Sequence, residues 1–404
     1  MDYIILKNHY DTVLNKDKTT YTSSNDEPTP IGCIEEMMDA VPSSFWKQKS
    51  LRILDPCCGN GNFHLVVAER LRLAESQGEL IFNDLNEKRL ENVKQIFGNV
   101  SQTQKDFLTE TFDKNHDMVV MNPPYALISA NGSRASKNHG ISKLFLKKGM
   151  DCLKIGGFLV AIVPDNWMSL ANRNDTCSLL TQYQFIKLDI HGAKKWFPKI
   201  GSSFTWFVIQ KIPFDKSFEV SYSIKNVAIT GQVASMHRQF IPLCYSTIIQ
   251  SIFAKTIESK NQKYKIETSS DLHRFTKKDC IQDYQSTHFP YKLIHTPKQT
   301  VWGNRPHRFQ NGWKVFISTT DKYKTFVDSC GMTQSIAFIR TETEQEANEL
   351  KTILDEPIYR FLNNVCRYGN FNNIRILQKF PVKDTFDLNP EDIAFLSRFH
   401  NQEI

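Results

Sequence analysis

The chain has 404 residues, a mass of 46.8 kDa, 40% hydrophobic residues and a formal net charge of +7, which suits two or three domains with ordinary cores. No apolar run approaches the roughly 18 residues of a membrane span, and the short apolar start at Tyr3–Leu6 meets charge too soon to be a signal peptide. The nine cysteines are odd in number and show no CxxC spacing, so reduced thiols in a cytoplasmic protein and no metal site are expected, with adjacent Cys57-Cys58 too close-set for a structural zinc pair.

In chain order, the first half alternates strand and helix patterns. Leu51–Leu54 is a short buried strand, ended by the loop DPCCGNGNF. Phe63, Val66, Val67, Leu71 and Ala74 then fall near one face of a helix. ELIFND is a second strand ending at Asp84, and NEKRLENVKQIF a charged helix after it. Met118–Met121 is a strand buried on both faces. SKLFLKKGMDCLKIGG reads as a helix stopped by Gly156-Gly157, and FLVAIVP as another buried strand. This alternation predicts an α/β fold with a largely parallel sheet and ligand sites at the C-terminal ends of its strands. After Pro213 the rhythm changes to shorter alternating segments such as FEVSYSI and YKLIHT, so a second domain is expected from about residue 215. TETEQEANEL and KTILDEPIYRFL read as an acidic-start helix of structural role.

Three features carry chemistry. Gly59 and Gly61 stand between a strand and a helix, where the backbone can approach a ligand and the helix N-terminus favours an anion; neither the dinucleotide nor the ATP-type glycine spacing is present. Asp55, Asp84 and Asp106-Phe107 follow at successive strand ends, where carboxylates can take ribose hydroxyls or an exocyclic amine and an aromatic can cover a base. Each acid alone would be a loop cap; in series they outline an adenosine pocket. Third, Asn122-Pro123-Pro124-Tyr125 directly follows a buried strand. The prolines fix the backbone and remove donors, so the segment offers rigid acceptors and one flat ring, suited to a planar amino group.

The basic character is uneven. Lys255 to Lys324 contains 14 Lys/Arg against 6 Asp/Glu, with four histidines and aromatics interleaved. A solvated surface explains such a run equally well, but the mixture also fits a nucleic-acid face. Arg274, Lys277, Lys278, Arg305 and Arg308 are the phosphate-contact candidates, with WGNRPHRFQNGW as the DNA-facing loop.

On the motifs DPCCGNG, Asp84, DF at 106–107 and NPPY, in that order, the sequence resembles S-adenosylmethionine-dependent amino-methyltransferases, and among them the adenine-N6 DNA methyltransferases of the gamma class, the TaqI-like arrangement of restriction-modification systems. The resemblance runs motif by motif over about residues 20–212 and is only architectural beyond. It implies a Rossmann-like catalytic domain with a mostly parallel seven-stranded sheet at 1–214 and a separate mixed α+β DNA target-recognition domain at 215–404. By matching motif it implies that Thr29, Asp55, Cys57, Gly59, Gly61, Asp84, Asp106 and Phe107 bind S-adenosylmethionine. Asn122, Pro123, Pro124 and Tyr125 would be catalytic, with Tyr125 and Phe204 stacking on the target base; Trp206 and Phe207 compete for the last role. The second cysteine in the glycine loop departs from the family and suggests oxidation sensitivity. Double-stranded DNA is the implied partner, with a cognate endonuclease, a monomeric state and no membrane association. Cytosine-N4, RNA adenine and protein glutamine methylation share the NPPY chemistry, and a non-catalytic DNA-binding relic is the non-enzyme alternative. Cytosine-C5 methylation is disfavoured because Pro56-Cys57 lies inside the cofactor loop.

Overall fold

A computed structural model describes residues 2–20, 27–125, 140–171, 175–198, 203–224, 227–234, 239–320, 322–369 and 371–400. The middle of the segment after Tyr125, residues 126–139, lies outside this set, as do Gly201, Ser202 and Asn370. The chain divides into two compact units by its internal packing. The first comprises residues 1–167, 174–223 and 228–240; the second comprises 168–173, 224–227 and 241–404.

The first unit starts with three helices, α1 (Tyr3–Thr12), α2 (Ile31–Asp39) and α3 (Ser43–Trp46). The β–α alternation follows: β1 (Ser50–Asp55), α4 (Asn62–Leu73), β2 (Gln77–Asn83), α5 (Glu87–Phe97), β3 (Ser101–Thr103), β4 (His116–Met121), α6 (Gly140–Cys152), β5 (Leu153–Pro164), α7 (Thr176–Leu180), β6 (Tyr183–Asp189), β7 (Phe204–Pro213), β8 (Phe218–Ile224) and β9 (Val227–Val233). The strands form one sheet in the order β3-β2-β1-β4-β5-β7-β6-β8-β9. The sheet thus has nine strands, not the expected seven; β8 and β9, both beyond residue 214, extend its edge. The pairs β3–β2, β2–β1, β1–β4, β4–β5 and β6–β8 are parallel, and β7 runs against both β5 and β6.

The apolar runs read as buried strands are buried because helices cover both faces. All six residues of β4 are inaccessible. On one face, Ile31, Ile34, Met37 and Met38 of α2 and Phe63, Val66 and Val67 of α4 share a core with Ile53, Val120, Val160 and Trp206. Each such side chain contributes roughly 1.5–3 kcal/mol by leaving water. Leu90 and Val93 of α5 continue this face with Cys58 and Phe82, while α6 covers the other, where Gly149 lies against Met121, Val119 and Leu159.

The glycine pair at 156–157 does not stop α6. The helix ends at Cys152 and β5 begins at Leu153. Gly156 has φ +85°, and a Cβ on Gly157 would sit 3.0 Å from the His116 and Asp117 carbonyls. The pair therefore serves an irregularity where β5 joins β4, at the register shift between His116 and Met118.

The second unit contains α8 (Thr247–Lys255), β10 (Glu267–Thr268), β11 (Ile281–Gln282), β12 (Tyr291–Thr296), β13 (Gln299–Gly303), β14 (Lys314–Ser318), β15 (Thr325–Asp328), β16 (Gly331–Met332), β17 (Ile336–Arg340), α9 (Glu344–Leu354), α10 (Pro357–Asn364), α11 (Ile374–Leu377) and α12 (Pro390–His400). Its strands make two four-stranded sheets, β10-β17-β14-β15 and β11-β13-β12-β16. The single helix expected over TETEQEANEL and KTILDEPIYRFL is two helices. Thr343 caps the first by accepting from the Glu346 N–H at 3.1 Å, and Pro357 opens the second. No helix among the described residues is long and apolar enough to cross a membrane.

Candidate active site

Parallel strands deliver their following residues to one edge of the sheet. Asp55 closes β1, Asp84 follows β2, Asn122 follows β4, and Asp165 follows β5. Because β7 is reversed and Pro164 pairs with Phe204, the start of β7 reaches the same edge. The strand order turns at β1 and β4, the position where open α/β sheets bind ligands.

The glycine loop is held from several sides. Gly61, with φ +87°, caps α4; a Cβ there would lie 2.9 Å from Phe97 and 3.2 Å from Phe82, so the position excludes a side chain. Gly59, with φ +55°, has open space where a Cβ would be. The Gly59 N–H donates to Asp84 Oδ2 at 2.8 Å, and the Asn86 N–H to Asp84 Oδ1 at 2.9 Å. Arg89 adds an ion pair with Asp84 at 3.9 Å. Tyr10 of α1 is buried beneath the loop and donates to the Asn60 carbonyl at 2.6 Å.

Asp55 is 1% exposed. Its Oδ1 accepts from the Cys57 N–H at 3.2 Å, and its Oδ2 has no partner among the described residues. Burial holds its carboxyl well above the usual aspartate range, and the charge of Asp84 adds to this, against the Cys57 N–H. Burial also raises the Cys57 and Cys58 thiols well above their usual range. That keeps both neutral, opposite to the thiolate character behind the expected oxidation sensitivity.

Asn83 was not singled out by sequence, yet it joins three strand ends. It is 1% exposed. Its Nδ2 donates to the Pro56 carbonyl at 3.0 Å and the Lys105 carbonyl at 2.9 Å; its Oδ1 accepts from Thr103 Oγ1 at 2.8 Å and the Lys105 N–H at 3.0 Å. Asp106, next along, is exposed, and its Oδ1 accepts from the Leu108 N–H at 2.9 Å. Phe107 is 2% exposed and packs with Phe112 and Phe145 at 5.0 and 5.3 Å.

Asn122 lies where the two halves of the site meet. Its Nδ2 donates to Thr29 Oγ1 at 3.0 Å and the Glu27 carbonyl at 3.3 Å. Its Oδ1 accepts the Tyr125 hydroxyl. Its backbone carbonyl accepts from Cys57 Sγ at 3.5 Å. Pro123 is buried, and among the described residues no group donates to its carbonyl; the Pro124 carbonyl takes Ser142 Oγ at 3.2 Å. The Tyr125 ring, partly exposed, lies 5.5 Å from Phe204 at 44°, and Phe197 backs Phe204 at 5.2 Å. Trp206 is on the same face as Phe204 but deeper, within the α2–α4 core. Phe207 is on the opposite face, against Trp167 at 5.3 Å. Of the three candidates on β7, Phe204 is the one beside Tyr125.

In the second unit, Asp271 draws the basic candidates together, and sequence reasoning missed it as a lone acid in a basic run. It takes Arg305 Nη2 at 2.9 Å and the Arg308 N–H at 2.8 Å, and its carbonyl accepts Lys277 Nζ at 2.6 Å. Arg305 holds its carboxyl down at about 2. Arg274 pairs with Asp283 at 2.7 Å, and Arg308 lies over Phe309 at 4.8 Å. Lys278 is exposed. Ser269 Oγ is 2.7 Å from His307 Nε2, which resembles a nucleophile and its base. His307 Nδ1 accepts from the Phe309 N–H at 3.0 Å, so Nε2 carries the proton and donates to the serine. The pair braces the loop. Of the ten interleaved aromatics only Phe275 and Tyr284 are exposed, at 64% and 68%; Phe316 is core.

The sheet order and the acidic strand ends around a glycine loop define a methyltransferase-type α/β fold. Residues 43–197 match the family model described as Eco57I restriction-modification methylase. The similarity is to an enzyme, a methyltransferase of the restriction-modification kind; the matched stretch includes Asp55 to Tyr125 but neither Thr29 nor Phe204. Three solved structures extend the likeness of fold over both units. A nuclease-deletion mutant of the Type ISP restriction-modification enzyme LlaGI with a DNA substrate mimic has TM-score 0.56 and 12% identity, covering 98% of this chain and 56% of that one. The ATP-dependent Type ISP enzyme LlaBIII bound to DNA has TM-score 0.55 and 11% identity, covering 99% and 40%. The DrdV–DNA complex has TM-score 0.54 and 12% identity, covering 98% and 58%. The chain thus spans about half the length of these proteins.

Proposed function

We propose that the protein is a site-specific DNA methyltransferase of a restriction-modification system, transferring a methyl group to the N6 amino group of adenine in double-stranded DNA. The observation that carries the reading is the orientation of Asn122: its side-chain oxygen and the adjacent Pro123 carbonyl stand at one strand end, beside a partly exposed tyrosine ring.

The site residues fit S-adenosylmethionine. Asp55 Oδ2 is a buried acceptor without a partner among the described residues, suited to the cofactor's cationic amino group, whose arrival would favour the ionised carboxylate. Gly59 leaves room for close approach. Asp84 would take the ribose hydroxyls and Asp106 the adenine amine, and Cys57 and Phe107 would complete the walls. When bound, the cofactor supplies an electrophilic sulfonium methyl group.

The chain's own residues account for the rest. An adenine amine is a weak nucleophile because its lone pair is delocalised into the ring. Asn122 Oδ1 has a second lone pair beyond the one given to Tyr125. That lone pair and the Pro123 carbonyl accept the two N6 hydrogens and draw the nitrogen toward tetrahedral geometry. Positioning then supplies much of the rate. The target base must leave the helix to reach this edge, and stacking against Tyr125, backed by Phe204, offsets roughly 1–3 kcal/mol of that cost. The first unit would serve catalysis and the second target recognition, with the division beyond the expected residue 214 because β8 and β9 belong to the first unit's sheet. The basic candidates around Asp271, together with the DNA-bound state of the three similar structures, support DNA as the substrate.

The test is Asn122→Ala. Transfer of radiolabelled methyl to unmethylated phage λ DNA should fall at least about 100-fold, while calorimetric cofactor affinity stays within about threefold. Unchanged turnover removes the assignment. Digestion of the product DNA to nucleosides identifies the methylated atom.

A further inference from the structure

We infer that Thr29 is a positioning residue for methyl transfer: its hydroxyl holds the Asn122 amide in the sense that the Glu27 carbonyl selects, with the oxygen toward the target amino group. The inference rests on the proposed function for its consequence, though not for its geometry.

A carboxamide side chain has two nearly isosteric ends, and only the oxygen can accept an amine hydrogen. Rotation by half a turn would put the NH2 group toward the target, where it would meet the target amine donor to donor. The orientation must therefore be enforced by neighbours that tell the two ends apart. Glu27 contributes a carbonyl, 3.3 Å from Asn122 Nδ2, and a carbonyl can only accept. Thr29 Oγ1 could donate or accept; with the sense set by Glu27 it accepts the second hydrogen of the same nitrogen at 3.0 Å and holds the amide there. With both amide hydrogens taken on that side, Oδ1 is left on the Tyr125 side.

The segment that does this is rigid. Glu27-Pro28-Thr29-Pro30 places prolines on both sides of Thr29, which restricts its backbone and leaves few donors of its own. Pro30 caps α2, its carbonyl accepting from the Cys33 and Ile34 N–H groups at 3.0 and 3.2 Å. Thr29 is 3% exposed, so its hydroxyl bond to the half-buried Asn122 is partly sheltered from water. From behind, Asn62 Nδ2 donates to the Thr29 carbonyl at 2.9 Å, and Asn62 is the first residue of α4, directly after the glycine loop. Thr29 thus stands between the loop suited to the cofactor and the loop suited to the target base. The resemblance to methyltransferases gives it to the cofactor; its hydroxyl serves the amide.

The experiment is steady-state methylation of unmethylated phage λ DNA by the full chain, comparing wild type, Thr29→Val and Thr29→Ser. Valine keeps the shape and removes the acceptor. Thr29→Val should lower kcat about 10- to 100-fold with KM for S-adenosylmethionine within about twofold, and Thr29→Ser should restore kcat to within about threefold. A raised KM with unchanged kcat would make Thr29 a cofactor contact and overturn the inference. A serine variant as impaired as valine would overturn it too. Hydrogen exchange at the Asn122 side-chain amide, followed by NMR without DNA, gives a second readout: protection should drop in Thr29→Val and hold in Thr29→Ser. Equal exchange in all three proteins overturns the inference whatever the activity. Wild-type protein that transfers no methyl to DNA, with exchange behaving as expected, removes the proposed function and leaves the Thr29–Asn122 contact standing.

Discussion

Asp165 shows how a single residue at this edge can register pH. It follows β5, is 7% exposed, and its N–H donates to the Ser203 carbonyl at 3.1 Å beside Phe204. Burial pushes its carboxyl up to about 7. A carboxyl raised in the folded state stabilises the fold while neutral; the benefit is complete below the unfolded value of about 4 and lost as pH rises through about 7. Above that the fold carries a buried charge. Asp165→Asn removes the titration and keeps the shape. Its melting temperature relative to wild type should therefore rise between pH 5 and pH 8, by about 2–4 °C for each kcal/mol of charge burial relieved, then level off. A difference independent of pH would mean that the carboxylate is solvated.

At the scale of elements, Asn83 fastens the ends of β1, β2 and β3 through four hydrogen bonds. Asn83→Ala leaves the buried Pro56 carbonyl and the partly buried Lys105 N–H and carbonyl short of partners, which costs about 1–3 kcal/mol in denaturant unfolding. It should also weaken calorimetric binding of S-adenosylmethionine about tenfold or more, because the Pro56 and Lys105 turns carry both walls of the proposed cofactor site. Intact affinity would show that the loops hold themselves. The strands themselves were legible, because Met118–Met121 is an unbroken apolar run that two-sided burial explains and Leu51–Leu54 is apolar apart from Arg52. NPPY and the glycine loop were legible because adjacent residues carry their chemistry. Gly156-Gly157 misled because a helix stop and a strand irregularity use the same residue. Asn83 and Asp271 could not be read at all, and Thr29 only as part of a cofactor motif and not for its contact with Asn122: the partners of these three side chains lie 20 to 93 residues away in the chain, and nothing local reveals them. In the second unit the alternating segment YKLIHT is β12, but the strands of two to five residues around it are too short for periodicity to separate from loop.

For the whole molecule, composition places the positive charge but not its use, since many of those cations already have anionic partners. Arg274 is offset by Asp283, Arg305 by Asp271, and Arg340 by Glu267. Lys278 and Arg308 are exposed and, among the described residues, in no ion pair. A cation with a carboxylate partner must surrender that pairing to neutralise a phosphate, so its net contribution to counterion release is smaller than that of a free one. Affinity for a 25-base-pair duplex, measured by fluorescence anisotropy from 50 to 200 mM salt, should fall steeply, in proportion to the phosphates engaged. Lys278→Ala and Arg308→Ala should each lower the slope of log affinity against log salt by about 1, and Arg274→Ala by clearly less. Asp271→Asn is the informative contrast. It adds positive charge overall, which by charge alone would tighten binding, but it releases Arg305 and the Arg308 backbone from their common anchor. If the anchor sets the geometry of the basic face, affinity falls despite the added charge, and the salt slope stays near that of wild type. Tighter binding by Asp271→Asn would mean that only the charge, and not its placement, is what the second unit offers to DNA.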